Sequence, residues 1–297
     1  MSFTTYVTTW DSDPYTQIQD MITKGAIGAN TRIVLAFASF NFSSTEYIPG
    51  FGSVGLEETQ QIVNLLHSKG AKASLSIGGA TYPFYGSDLY SRPGDLATNI
   101  NAVLTKCGFD GVDFDIEDSY LAVPSDFATQ AASVINTLKY INPGLYITLT
   151  TPAQAWAAGC YQQTLLNYTI GNLDAWQPME YDLWIGPGYT YTTQIQYDLN
   201  VYISGWQVPV HKLILGLMPG QDDMQRDLSL QDALNCTQLS ITSGLKGVMT
   251  WDANRDSAGI DGNAPYAYTM GIQSMLKTYS SERWLTYVTA VKNRKYE

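Results

Sequence analysis

Short apolar, β-branched runs return roughly every 30 to 40 residues along the chain, and the stretches between them repeat their apolar residues at helical spacing. The runs predict strands near Thr5 to Thr9, Ile33 to Phe37, Ala73 to Ile77, Gly111 to Glu117, Tyr146 to Thr150, Ala175 to Tyr181, Leu213 to Leu217 and Gly247 to Trp251. Between them, Leu56 to Ser68, Phe127 to Tyr140 and Pro265 to Tyr279 carry the one-sided apolar pattern of amphipathic helices. Eight strands alternating with helices predict an α/β fold, a (β/α)8 TIM barrel in one domain. An open, doubly wound sheet shares the alternation, and periodicity alone does not separate the two. Residues 1–280 are assigned to the barrel and Ser281 to Glu297 to a C-terminal extension packed on it. The sequence shows no Ser/Pro linker and no repeat that would mark a tethered module.

Composition narrows the partners. Hydrophobic residues make up 45% and charged residues 14% of the 297, enough to bury a large core. A formal net charge of -11 opposes the counterion release on which nucleic-acid binding depends. With no apolar run of membrane length, neither nucleic acid nor a membrane is an expected partner. The 21 Tyr, 7 Trp and 9 Phe suit stacking against flat apolar faces such as those of sugar rings. Cys107, Cys160 and Cys236 allow at most one bridge, and His67 and His211 sit at no metal-ligand spacing from them, so no zinc site is expected. Asn41-Phe42-Ser43, Asn167-Tyr168-Thr169 and Asn235-Cys236-Thr237 match the glycosylation pattern and lean toward a secreted, extracellular protein, although no signal peptide is visible at Met1.

The fourth run carries the chemistry. In an extended strand alternate side chains share a face, so Asp113, Asp115 and Glu117 line one side while Val112, Phe114 and Ile116 line the other. The apolar set belongs against the helices, which turns the acids into the barrel and puts Glu117 at the C-terminal end, where barrel enzymes act. Acids about 7 Å apart in a partly desolvated interior raise one another's pKa, and one of them then holds a proton near neutrality. A general acid for glycosidic cleavage needs such a proton. Two other readings fit the same residues: a solvated acidic strand end, and a divalent-metal cluster of the phosphoryl-transfer kind. The second calls for a phosphate cradle, and the sequence has no P-loop.

The run Asp110-Gly111-Val112-Asp113-Phe114-Asp115-Ile116-Glu117 resembles the fourth-strand signature of glycoside hydrolase family 18, Asp-Gly-x-Asp-x-Asp-x-Glu. Ser76-Ile77-Gly78-Gly79 is similar to the family's third-strand Ser-x-Gly-Gly, and Met179-Glu180-Tyr181-Asp182, with Gln177 before it, to its sixth-strand Met-x-Tyr-Asp. Tyr6 and Trp10 on the first strand and Trp251 on the eighth complete the order. The resemblance implies a retaining chitinase without metal or cofactor, acting on chitin or N-acetylglucosamine oligomers by substrate-assisted catalysis. It implies Glu117 as acid and base, Asp115 as partner of the acetamido N–H, and Tyr181 as holder of the acetamido oxygen. Asp113 is expected beneath Asp115, exchanging a proton with it and bonded to Tyr6 and Ser76. Asp182, Met179, Gln177 and Gly79 are expected around the sugar, with Trp251 as its floor.

The stretch from Leu217 to Gly247 is too short for the α+β insertion that walls the cleft in many members, which implies an open groove and endo action. Trp184, Tyr189, Tyr191, Phe84 and Tyr85 are candidates for outer subsites. A monomer is expected. Two alternatives remain at this point: an endo-β-N-acetylglucosaminidase acting on N-glycans, and a catalytically silent chitin-binding lectin. Glu180 is left without a role.

Overall fold

The computed structural model of the chain describes residues 1–41, 54–119, 122–153, 160–182, 185 and 188–279. Trp184 and the extension from Ser281 to Glu297 lie outside them. Eight parallel strands close into a barrel: β1 (Ser2–Thr8), β2 (Thr31–Ala38), β3 (Lys72–Gly78), β4 (Gly111–Asp115), β5 (Tyr146–Pro152), β6 (Ala175–Met179), β7 (Ile214–Leu217) and β10 (Gly247–Thr250). Closure is made by β1, which pairs with β2 on one side and β10 on the other. The expected TIM barrel is the observed fold.

The helices that return the chain include α1 (Pro14–Thr23), α2 (Leu56–Ser68), α3 (Pro93–Cys107), α4 (Phe127–Ile141), α5 (Tyr161–Thr169), α6 (Tyr191–Asn200) and α7 (Leu230–Thr242), and residues 267–279 are also helical. Between β7 and α7 lies only a small antiparallel hairpin, β8 (Gly220–Gln221) and β9 (Asp227–Leu228), in place of an α+β insertion. A short helix, α8 (Ala253–Ser257), follows β10 and is capped by Asp252, whose carboxylate accepts the Arg255 N–H at 2.8 Å.

The strands divide their residues as a two-residue period requires. Val112, Phe114 and Ile116, with Ile33, Leu35, Ile77, Leu149 and Val248, face the helices and form the main core, where each is at most 1% exposed. Burying one such side chain contributes about 1.5–3 kcal/mol, so this layer dominates the fold's stability. A second, smaller cluster fills the barrel itself: Tyr6, Val34, Ala36, Ala175, Met179, Tyr181, Ile214 and Met249. The polar residues of the inner face share that space. The three cysteines are buried and unbridged.

Candidate active site

Asp113 is fully buried, and the register of the barrel explains how it is accommodated. It lies opposite Ser76 on β3 and Thr148 on β5, so both hydroxyls point at it. Its Oδ2 accepts from Tyr6 Oη and Ser76 Oγ, both at 2.7 Å. Its Oδ1 accepts from Thr148 Oγ1 at 2.6 Å, Thr150 Oγ1 at 2.8 Å and Gln177 Nε2 at 3.3 Å. Five donors leave no oxygen for a neighbouring acid, and Asp113 and Asp115 share no hydrogen bond. The surroundings are those of a buried acceptor whose oxygens are taken by hydrogen bonds and not of a ligand offered to a cation. Burial, followed by the charges of Asp113 and Asp115, pushes the Tyr6 phenol well up, so it stays a donor.

Asp115 is buried one pleat higher and is tied differently. Its Oδ1 has no donor among the described residues. Burial first, then the charges of Glu117 and Asp113, raise its pKa well above the carboxylate range. Its backbone carbonyl accepts the Gly79 N–H at 2.9 Å, which brings β3 close. A Cβ at Gly78 would stand 2.0 Å from that carbonyl oxygen, and one at Gly79, where φ is +77°, would stand 2.6 Å from the Phe37 ring. The paired glycines after Ser76 are there because nothing larger fits between Asp115 and Phe37.

Glu117 lies two residues past the end of β4, at the C-terminal mouth. Its pKa is raised to about 7: burial is the main cause, the Ala80 N–H opposes it, and the carboxylates of Asp182, Asp118 and Asp223 add to it. Tyr181, two residues past β6, is 7% exposed, and burial with the charges of Asp115 and Glu117 keeps its phenol protonated. Glu117, Asp115, Met179, Tyr181, Asp182 and Trp251 all line one cavity of about 850 Å³ at this end of the barrel. Tyr6, Ser76, Asp113 and Gln177 form the layer beneath it.

Three aromatic rings give the cavity an apolar side. Phe37 stacks on Trp251 with centroids 5.3 Å apart and an interplanar angle of 16°, and Trp10 stacks on Phe37 at 5.8 Å and 20°. Trp10 is 54% exposed. Phe37, Met218, Tyr82 and Asp223 also line the cavity and were not among the expected residues. Nor were Thr148 and Thr150, although their alternation on the fifth strand, level with the acids, was the signal that could have found them. Asp118 was missed too: its two oxygens accept the N–H groups of Phe84 at 3.0 Å and Tyr85 at 2.8 Å, fixing the loop after β3.

The outer aromatics fall elsewhere. Phe84 is buried in the core against Phe40, Phe127 and Tyr90, and the Tyr191 hydroxyl bonds the Glu180 carbonyl at 2.9 Å inside the protein. Tyr85 and Tyr189 are exposed but outside the cavity lining. Glu180 faces away from the cavity and is fully buried on the α6 side, where burial and then the charge of Asp198 push its pKa well up. It packs in the layer behind the site.

The family model for Glycosyl hydrolases family 18 matches residues 2–218. No curated protein sequence matches the chain. Among solved structures, the catalytic domain of the hyperthermophilic chitinase from Pyrococcus furiosus has a TM-score of 0.73 at 18% identity, over 94% of this chain and 96% of that one. A family 18 chitinase from Pseudoalteromonas aurantia has a TM-score of 0.70 at 19% identity, over 93% and 99%. Human YKL-39, a pseudo-chitinase with retained chitooligosaccharide binding, has a TM-score of 0.71 at 15% identity, over 93% and 99%. These likenesses concern the fold, whereas the family match spans seven of the eight barrel strands and every motif from Tyr6 to Asp182, and the chain belongs to glycosyl hydrolase family 18.

Proposed function

We propose that the protein is a retaining chitinase that hydrolyses β-1,4 bonds between N-acetylglucosamine units, with the substrate's own 2-acetamido oxygen as nucleophile. The observation that carries the reading is Glu117, an acid whose pKa, raised to about 7, leaves a large share of it protonated near neutrality, in a cavity shared with Asp115 and Tyr181. Glu117 gives its proton to the glycosidic oxygen as the acetamido oxygen attacks C1. The C1–O bond breaks and the leaving sugar departs as an alcohol. Asp115, whose Oδ1 has no donor among the described residues, accepts the acetamido N–H and so holds the acetamido group in place for attack. Tyr181 donates to the acetamido oxygen and fixes its line of attack. Ionised Glu117 then takes a proton from water, the water oxygen bonds C1, the ring opens, and the anomer is retained.

The aromatic side formed by Trp251, Phe37 and Trp10 suits the apolar face of a pyranose. The hairpin between β7 and α7 leaves the groove without a tall wall, which favours cleavage within a chain. The direct test is incubation with N-acetylglucosamine oligomers, following product sizes and anomers. Release of β-anomeric products, inhibition by the thiazoline analogue of the cyclised intermediate, and retention of binding with loss of turnover in Glu117→Gln support the reading. Oligomer binding without any release between pH 4 and pH 8 leaves a chitin-binding lectin. Cleavage confined to the core of a high-mannose glycoprotein makes it an endo-β-N-acetylglucosaminidase.

A further inference from the structure

The hairpin after β7 is fastened to both flanks of the cleft by contacts the hydrolytic scheme does not use. Asp222 is 5% exposed. Its Oδ2 accepts the Asp182 N–H at 2.9 Å and its Oδ1 the Arg226 N–H at 2.8 Å. In return the Asp223 N–H bonds Asp182 Oδ1 at 2.7 Å. Asp182 holds a φ of 54°, a conformation that a non-glycine residue keeps only when its surroundings impose it. On the other flank, Arg255 of α8 donates to the carbonyls of Gln221 and Pro219.

We propose that Asp222 is a positioning residue for hydrolysis: by bridging the N–H groups of Asp182 and Arg226 it seats the hairpin against the end of β6 and holds Asp182 and Asp223 beside Glu117. The inference rests on the chitinase reading only for its activity readout. Among the described residues the groups that act on Glu117 or feel its charge are Asp115 and Asp118 on its own segment, Asp182 and Tyr181 after β6, Asp223 on the hairpin and Tyr161 on α5. Asp182 and Asp223 are the two carboxylates of this set whose place depends on the Asp222 bridge. Releasing them moves negative charge away from Glu117, which lowers the pH at which it ionises.

The test compares wild type, Asp222→Ala and Asp222→Asn by three measurements: melting temperature, kcat/KM against pH on an N-acetylglucosamine oligomer, and titration of the Glu117 side-chain carboxyl by ¹³C NMR. For Asp222→Ala the expected result is a Glu117 titration and an alkaline activity limb both displaced to lower pH by about half a unit or more. Asn retains one carbonyl acceptor for the Asp182 N–H, so its displacement has the same sign and is smaller. That variant carries the test should the alanine protein fail to fold. Superimposable titrations in the folded variants, with any loss of activity tracking only the melting temperature, overturn the proposal. An inert wild type counts against the chitinase reading alone, because the NMR titration still reports whether Asp222 governs Glu117.

Discussion

The Tyr6 hydroxyl on β1 reaches through the barrel interior to Asp113 on β4, with 2.7 Å between the oxygens. The pair links strands that are not neighbours in the sheet. It also supplies Asp113 with one of the donors that make a carboxylate tolerable at zero exposure. Tyr6→Phe removes that donor without opening a cavity, and a buried acceptor that loses its partner costs about 1–3 kcal/mol. Urea unfolding should show a loss of that size, with kcat falling more than KM changes. An unaltered midpoint would mean that the other four donors suffice.

Catalysis should report the state of Glu117. As the proposed general acid it must carry its proton to act, and its pKa is raised to about 7. Below that pH the proton is in place, and above it the group ionises, so kcat/KM should fall about tenfold per unit on the alkaline side. A pH series on a short oligomer measures this. A limb near the ordinary carboxylate range would show that the acid is not held as the cavity implies.

Gly79→Ala places a methyl group 2.6 Å from Phe37 in a left-handed backbone position. Strain and overpacking together cost about 2–5 kcal/mol. Phe37 would also be pushed off Trp251. Thermal unfolding and KM should both worsen, whereas Gly144→Ala on the surface, whose added methyl meets nothing nearer than 3.9 Å, should leave KM as it was.

Trp10 stands half exposed at the outer end of the aromatic side, so its removal leaves the fold intact. A ring stack of this kind contributes about 0.5–1.5 kcal/mol, which is about 2–10-fold in binding. Trp10→Ala should raise KM by that factor with the melting temperature unchanged. Unchanged KM on oligomers of every length would remove Trp10 from the binding surface.

The barrel was legible because its signals are local. Each strand announced itself by a β-branched run, and the alternation of Asp113, Phe114 and Asp115 fixed which face was inner. The strand ends were set slightly too far, since Glu117 and Tyr181 continue the direction of β4 and β6 after regular pairing has stopped. What the sequence hid was created by register between distant segments. Thr148 and Thr150 become donors to Asp113 only because β5 lies level with β4. Phe37 fits at the cavity because Gly79, just past the end of β3, puts no side chain in the way of its ring. Phe84 and Tyr191 looked like sugar platforms, but Phe84, on the loop after β3, and Tyr191, the first residue of α6, are both buried inside the protein. The Asp222 bridge had no signal at all, because Asp222-Asp223 reads as any polar turn until the hairpin is built.

Asp115 Oδ1 is a buried acceptor that no donor among the described residues satisfies. Such an atom leaves the empty site about 1–3 kcal/mol less comfortable than a fully matched one. In the proposed reaction a sugar that brings its own N–H relieves that tension, so recognition of the acetamido group would draw on a deficit built into the protein. On that reading sugars unable to extend a donor to that depth would forgo the gain, and discrimination among hexoses would be set before any bond is broken.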